Sequence, residues 1–60
     1  MAKYRGAVIV DSDFTYRSQP LKTTAEAEEW VKSNNNNLEF KSRIEELDEH
    51  GKVIDWYEFS

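Results

Sequence analysis

The chain lacks cysteine and contains a single histidine, two glycines and one proline. Without cysteine it forms no disulfide bond, and one histidine cannot build a zinc site that needs several. The two glycines, Gly6 and Gly51, are far apart, so a glycine-rich phosphate-binding loop is also excluded. No run of about 18 apolar residues is present, and we therefore expect no membrane-spanning segment.

These absences favour a cytoplasmic protein, since a chain free of cysteine suits a reducing compartment. The first residues, Met1–Lys3, lead directly into strand-like sequence and show neither the basic nor the apolar region of a signal peptide. Sixty residues make a single domain with a thin core, which we predict to span residues 1–60.

The residues that could carry catalysis or bind a metal are better interpreted as parts of turns. His50 follows two acids, Asp48 and Glu49, but the sequence is typical of a three-residue hairpin loop with Gly51 in the left-handed conformation. The carboxylates of Asp11–Asp13 are too few for calcium and are interpreted as a polar turn. We predict no enzymatic activity, no cofactor, no bound metal and no small-molecule substrate.

The net charge of −4 is distributed unevenly along the chain. Residues 1–22 carry four bases and two acids, whereas residues 23–60 carry four bases and ten acids. Affinity for nucleic acid comes mainly from clustered lysine and arginine, so we expect no direct binding to it. An acidic surface instead suits a basic protein partner, or a protein surface that normally binds nucleic acid.

Residues 4–18 predict a first β-hairpin, because β-branched and aromatic residues flank an acid-serine-acid triplet that favours a turn. A three-residue turn places Val8 opposite Tyr16 and Val10 opposite Phe14. The alternative is a single strand that ends at Val10 and is followed by a long loop.

A helix is predicted over residues 23–34. Thr23 and Glu26 match a capping box, in which each side chain bonds the backbone N–H of the other residue. The asparagine run 34–37 is expected to end the helix, since asparagine tolerates the left-handed conformation. Three apolar residues form a stripe at helical spacing, which we expect to pack on the sheet. They are Ala27, Trp30 and Val31.

Residues 38–59 predict a second hairpin around the turn segment 48–51, because apolar and polar residues alternate on both sides of it. The predicted fold class is therefore α+β, in the order ββαββ. One helix packs on one face of an antiparallel four-stranded sheet.

The register of this second hairpin decides which of its residues are exposed. A three-residue loop predicts the strand pairs Leu47–Val53, Ile44–Trp56 and Arg43–Tyr57. In this register the residues that face the helix are Leu38, Phe40, Ile44, Ile54 and Trp56. The outer face has no second helix to cover it, and we predict that it binds a partner. The predicted partner-binding residues are Leu47, Val53, Tyr57, Phe59 and Arg43.

Two alternatives stay open at this point. A shifted register or a bulge exchanges residues between the two faces, turning inward Val53, Tyr57 and Phe59 and leaving outward Ile54 and Trp56. In the second alternative, the apolar residues of the outer face are ordinary scattered surface residues and bind no partner.

The sequence thus favours a small acidic interaction or regulatory domain that binds a protein partner, or a second copy in a homodimer. The alternative is an acidic nucleic-acid mimic, in which paired acids such as Glu28–Glu29, Glu45–Glu46 and Asp48–Glu49 imitate phosphates. In layout, the strand-turn-strand of Val8–Tyr16 and the helix start at Thr23–Ala27 resemble small phage-encoded proteins, including a short inhibitor of bacterial RNA polymerase. That resemblance implies a phage or prophage accessory protein and assigns no site residue.

Overall fold

Four strands and one helix follow one another in the predicted order ββαββ. The structure is a computed structural model that describes residues 2–36 and 39–60. Its elements are β1 (Lys3–Asp11), β2 (Phe14–Arg17), α1 (Thr24–Asn34), β3 (Lys41–Leu47) and β4 (Val53–Glu58). The sheet order is β2-β1-β3-β4, and every neighbouring pair of strands is antiparallel. The α+β class and its single helix-covered sheet are confirmed.

The first hairpin forms around a turn that is one residue shorter than predicted. Val8 lies opposite Tyr16 as expected, but a bulge places Asp11, and not Val10, opposite Phe14. The Asp11 carboxylate accepts a hydrogen bond of 2.8 Å from the backbone N–H of Asp13, and this side-chain bond closes the turn. The alternative of a single strand followed by a long loop is wrong.

The segment after β2 continues alongside β1. The backbone of Leu21 exchanges hydrogen bonds of 2.8 and 2.6 Å with Tyr4, and Ser18 donates to the carbonyl of Gly6 at 3.0 Å. These bonds bring Leu21 against the core before the helix begins. The backbone pairing with β1 therefore resumes at Leu21, beyond Pro20, which has no N–H to donate.

The helix begins with the predicted N-cap, because the Thr23 hydroxyl accepts the backbone N–H of Glu26 at 3.1 Å. Its apolar stripe packs on the sheet as expected: Ala27 and Val31 are fully buried, and Trp30 stacks on Tyr16 at a centroid distance of 5.7 Å. The buried cluster that results consists of Val8, Ala27, Val31 and Ile44.

The helix ends in the asparagine run as expected, but its C-cap residue Asn35 has a φ of −133° and not the left-handed conformation. Asn35 instead connects the helix to the segment before β3. Asn35 is buried, and its side-chain amide donates to the carbonyl of Phe40 at 2.8 Å while its oxygen accepts the Phe40 N–H at 3.0 Å. Phe40 itself is exposed, lies before β3 and is not part of the core cluster. Leu38, the predicted start of the second hairpin, lies outside the described residues.

The second hairpin has the predicted pair at its turn and a different register beyond it. Leu47 pairs with Val53, the Asp48 carboxylate accepts N–H bonds within the loop, and Gly51 has a φ of 82°. A bulge then shifts the register by one residue. The remaining pairs are Glu46–Asp55, Glu45–Trp56, Ile44–Tyr57 and Arg43–Glu58.

This bulge corrects two predicted pairs, Ile44–Trp56 and Arg43–Tyr57. Because side chains alternate between faces, a one-residue shift moves the residues of β4 to the opposite sides of the sheet. Phe59 packs against the core cluster, and Tyr57 bonds to the helix. Trp56 lies on the face without a helix, as the bulged alternative expected.

Gly6 is the point of closest approach between the helix and the sheet. A Cβ at this position would lie 2.6 Å from Cε3 of Trp30, 2.8 Å from Cγ2 of Val31 and 3.0 Å from the carbonyl oxygen of Ala27. Such contacts are shorter than van der Waals distances, so the helix packs this closely only because residue 6 has no side chain.

We expect Gly6→Ala to lower the free energy of unfolding by about 1–3 kcal/mol, because the added methyl group overpacks the contact between helix and sheet. Urea denaturation measures the change. The control is Gly51→Asn, since no atom lies within 4 Å of a Cβ there and asparagine tolerates a positive φ. Equal losses in both variants would contradict the steric explanation.

Candidate interaction surface

The face of the sheet opposite α1, called here the open face, is rich in basic side chains. Strand alternation and the observed register place five cations there against two acids, a local charge of +3 in a chain of net charge −4. The cations among the described strand residues are Lys3, Arg5, Arg17, Lys41 and Arg43, and the acids are Glu45 and Glu58. The fold thus gathers basic residues that are spread along the sequence.

Glu45 lies at the centre of this charge cluster and is only 2% exposed. Its Oε1 accepts from Nε of Arg5 at 2.8 Å and lies 2.8 Å from Nη2 of the same guanidinium. Its Oε2 accepts from Nε of Arg43 at 3.1 Å and lies 3.1 Å from Nη2. Arg17 approaches Oε1 at 3.8 Å. One carboxylate therefore connects residues of β1, β2 and β3.

This geometry explains how a carboxylate is buried in a thin domain. A buried charge is costly unless it is paired and hydrogen-bonded, and charge-assisted bonds to guanidinium groups meet both conditions. Glu45 has one negative charge for three arginines, so the cluster keeps an excess of positive charge. This positive charge is accessible to solvent, since each arginine side chain is partly exposed.

An exposed apolar group borders the charge cluster on β4. Ile54 and Trp56 are 56% and 52% exposed, and the guanidinium carbon of Arg43 lies 5.0 Å from the centroid of the Trp56 ring. Val53 is also exposed and pairs with Leu47 on the same face. The open face of the C-terminal hairpin therefore combines apolar side chains with arginine.

The five predicted partner-binding residues do not share one exposed face. Arg43 and Val53 lie on the open face, whereas Tyr57 and Phe59 lie on the helix side because of the bulge in β4. Leu47 is only 1% exposed. The prediction of a common surface is wrong for these three residues, and a role of any of the five in binding stays a prediction.

The sequence did not predict the charge cluster. It predicted an outward position for Ile54 and Trp56 only in the alternative with a shifted register or a bulge. A signal for part of the cluster was present: Arg43 and Glu45 are two residues apart in a strand and so share a face. Arg5 and Arg17 carried no such signal, because their distance from Glu45 depends on which strands are neighbours.

On the helix side, Tyr57 links β4 to α1. Its hydroxyl donates to Oε2 of Glu28 at 2.6 Å. Partial burial of the phenol and this bond to a carboxylate, with the negative charge of Glu28 close by, raise the pKa of Tyr57 to about 12. Tyr57 thus holds the hairpin to the helix, which is a different role from the predicted contact with a partner.

Within residues 2–36 and 39–60, no group of three or more histidine, cysteine, aspartate or glutamate side chains is arranged to hold a metal ion. His50 is exposed at the hairpin tip, where Nε2 lies 3.7 Å from a carboxylate oxygen of Glu49. The described helix is too short and too polar to cross a membrane.

Comparison of the chain with protein-family models, curated proteins and solved structures found no match.

Glu45→Gln is expected to lower the free energy of unfolding by about 1–3 kcal/mol. The substitution replaces one carboxylate oxygen by an NH₂ group that faces guanidinium donors, and it removes the negative charge that three arginines share. Urea denaturation of the variant gives the change. The matched control is Glu46→Gln on the opposite side of the same strand, for which we expect a smaller loss. Similar losses for the two variants would refute the central role of Glu45.

A second prediction concerns pH. The pKa of Tyr57 is raised from the ordinary value of 10.0 to about 12, so the folded state holds the proton more tightly than the unfolded chain does. The stability that the hydroxyl contributes is fully present below pH 10 and is lost as the pH rises through about 12. Free energies of unfolding for the wild type and Tyr57→Phe measure this contribution as their difference. A difference that stays constant up to pH 12 would contradict the assignment.

Proposed function

We propose that the protein is a small interaction domain that binds a protein partner through the open face of its C-terminal hairpin. The observation that carries the proposal is the exposure of Trp56 beside Arg43 on a sheet face that has no covering helix. Ile54, two residues before Trp56 in the same strand, is exposed as well. Tryptophan and arginine are the residue types that contribute most to protein interfaces, and a mixed apolar and charged rim is typical of them.

The sheet face, and not the edge of β4, supports the contact best. β4 is an edge strand, and edge strands accept an added strand only through free backbone groups. The backbone N–H of Trp56 donates instead to the carboxylate of Asp55 at 2.8 Å. A carboxylate at an edge is one of the features that discourage strand addition.

A heterologous partner fits the charge of the open face better than a symmetric homodimer does. In a two-fold interface the same patch meets itself, which would bring the arginines of the two copies together. A local charge of +3 on each copy then repels. The homodimer expected as an option from the sequence is thus the weaker proposal for this face.

The nucleic-acid mimic stays an untested alternative that the geometry supports less well. Glu45 and Glu46 lie on opposite faces, and Glu45 is committed to arginine. Glu28 accepts the hydroxyl of Tyr57. Two of the three predicted acid pairs therefore do not present adjacent free carboxylates. The cytoplasmic location and the phage or prophage origin also stay predictions.

The double variant Ile54→Ser/Trp56→Ala tests the proposal. Wild type and variant, each immobilised, are incubated with lysate of the cells that encode the protein. Any protein that the wild type retains is then purified and titrated by calorimetry. We expect the double variant to bind it at least about tenfold more weakly, since an interface aromatic contributes about 1–2 kcal/mol or more.

The matched control is Val10→Ser/Phe14→Ala, which removes an exposed aliphatic and an exposed aromatic residue from the first hairpin. This control is expected to bind as the wild type does. Equal weakening in both variants, or binding that neither variant changes, would refute a contact through the open face. Circular dichroism checks that both variants are folded.

A further inference from the structure

We propose that the segment bound by the open face is an acidic peptide that also carries apolar side chains. This inference rests on the proposed function and specifies the chemistry of the partner. The sequence-level expectation of an acidic protein with a basic partner concerns the whole chain. The folded protein separates its charges, and the open face has the opposite sign to the whole.

The charge separation is large for a domain of 60 residues. The open face carries +3, which leaves −7 for the remaining residues of a chain with net charge −4. Such a face attracts acidic groups and orients them toward it, because complementary potentials steer encounter and suppress partners of the wrong sign.

The arginines of the cluster keep donors for a ligand. A guanidinium has five N–H donors, and the contacts of Arg5 and of Arg43 with Glu45 each involve only Nε and Nη2. Arg17 lies farther from Glu45, at 3.8 Å, and is the most exposed of the three. Carboxylates from a partner match these planar groups in geometry and in charge.

Apolar side chains in the ligand follow from the composition of the same face. Val53 and Ile54 are aliphatic, exposed and belong to the same strand as Trp56. Binding is stabilised when these aliphatic side chains are removed from water by contact with apolar groups of the ligand. A purely acidic peptide has no such apolar groups. The combination therefore favours a peptide in which acidic and apolar residues are mixed.

A peptide fits better than a single-stranded nucleic acid. Proteins that bind single strands stack successive bases on several aromatic rings. Among the described strand residues whose side chains lie on the open face, Trp56 is the single aromatic, and Arg43 already lies over its ring. The acidic remainder of the molecule also repels a polyanion that extends beyond the face.

The test is a selection from a displayed library of random dodecapeptides on the immobilised wild-type protein. Enriched peptides are expected to have a net charge near −3, which complements the local +3, and to contain apolar residues. The probe for affinity is the most enriched peptide, synthesised with a fluorophore. Its binding should weaken as salt is added.

Charge-neutralising variants decide the role of the basic residues. Arg17→Gln/Lys41→Gln removes two open-face cations and leaves the contacts of Arg5 and Arg43 intact. We expect about fivefold weaker binding of the probe peptide. The matched control, Lys22→Gln/Lys52→Gln, changes the total charge equally outside the strands and should bind within about twofold of the wild type.

The other outcomes overturn the inference in distinguishable ways. Enrichment of neutral or basic peptides whose binding still requires Ile54 and Trp56 would refute an acidic partner and keep the proposed function. Enriched peptides that are indifferent to those two residues, or no enrichment, would refute both. Tighter binding of a fluorescent oligothymidine than of any peptide would identify a nucleic-acid site. Sedimentation could instead show self-association that weakens with salt and is abolished in Arg17→Gln/Lys41→Gln. That result would refute a peptide ligand and identify the acidic helix side of a second copy as the group bound by the open face.

Discussion

The burial of one carboxylate determines how the side of the sheet without a helix is closed. A single short helix covers only one face, and the other face has to be covered by the long side chains of its own strands. Glu45 makes this possible, because its two oxygens hold the guanidinium groups of Arg5 and Arg43 and attract Arg17. Ala7, between these arginines in the central part of the sheet, is fully buried as a result. The stems of arginine cover apolar surface while the charged ends remain near water.

The bulge in β4 is the second feature on which the structure depends, because its one extra residue decides which aromatic side chains contact the helix. It brings Tyr57 to Glu28 and Phe59 to the core, and it leaves Trp56 beside Arg43. The two faces of the hairpin thus acquire different chemistry. One completes the core, and the other joins an apolar group to the charge cluster around Glu45.

The elements that were predicted correctly depend on short-range signals. The N-cap at Thr23, the loop closed by Gly51 and the alternation within each strand involve residues a few positions apart. The register of β4 was wrong beyond the first pair, because a bulge depends on how the strand packs against its neighbour and against the helix. For the candidate surface, this error exchanged Tyr57 for Trp56.

The sequence by itself determined the order of the elements, the ends of the helix and the existence of two hairpins, because local hydrogen bonds and periodicity encode them. Only the tertiary structure decided where the charges lie. Arg5, Arg17 and Glu45 come from three strands, and alternation assigns each to a face of its own strand without specifying which strands are neighbours. The pairing of β1 with β3 brings them together, and so a chain that is acidic overall has one basic face.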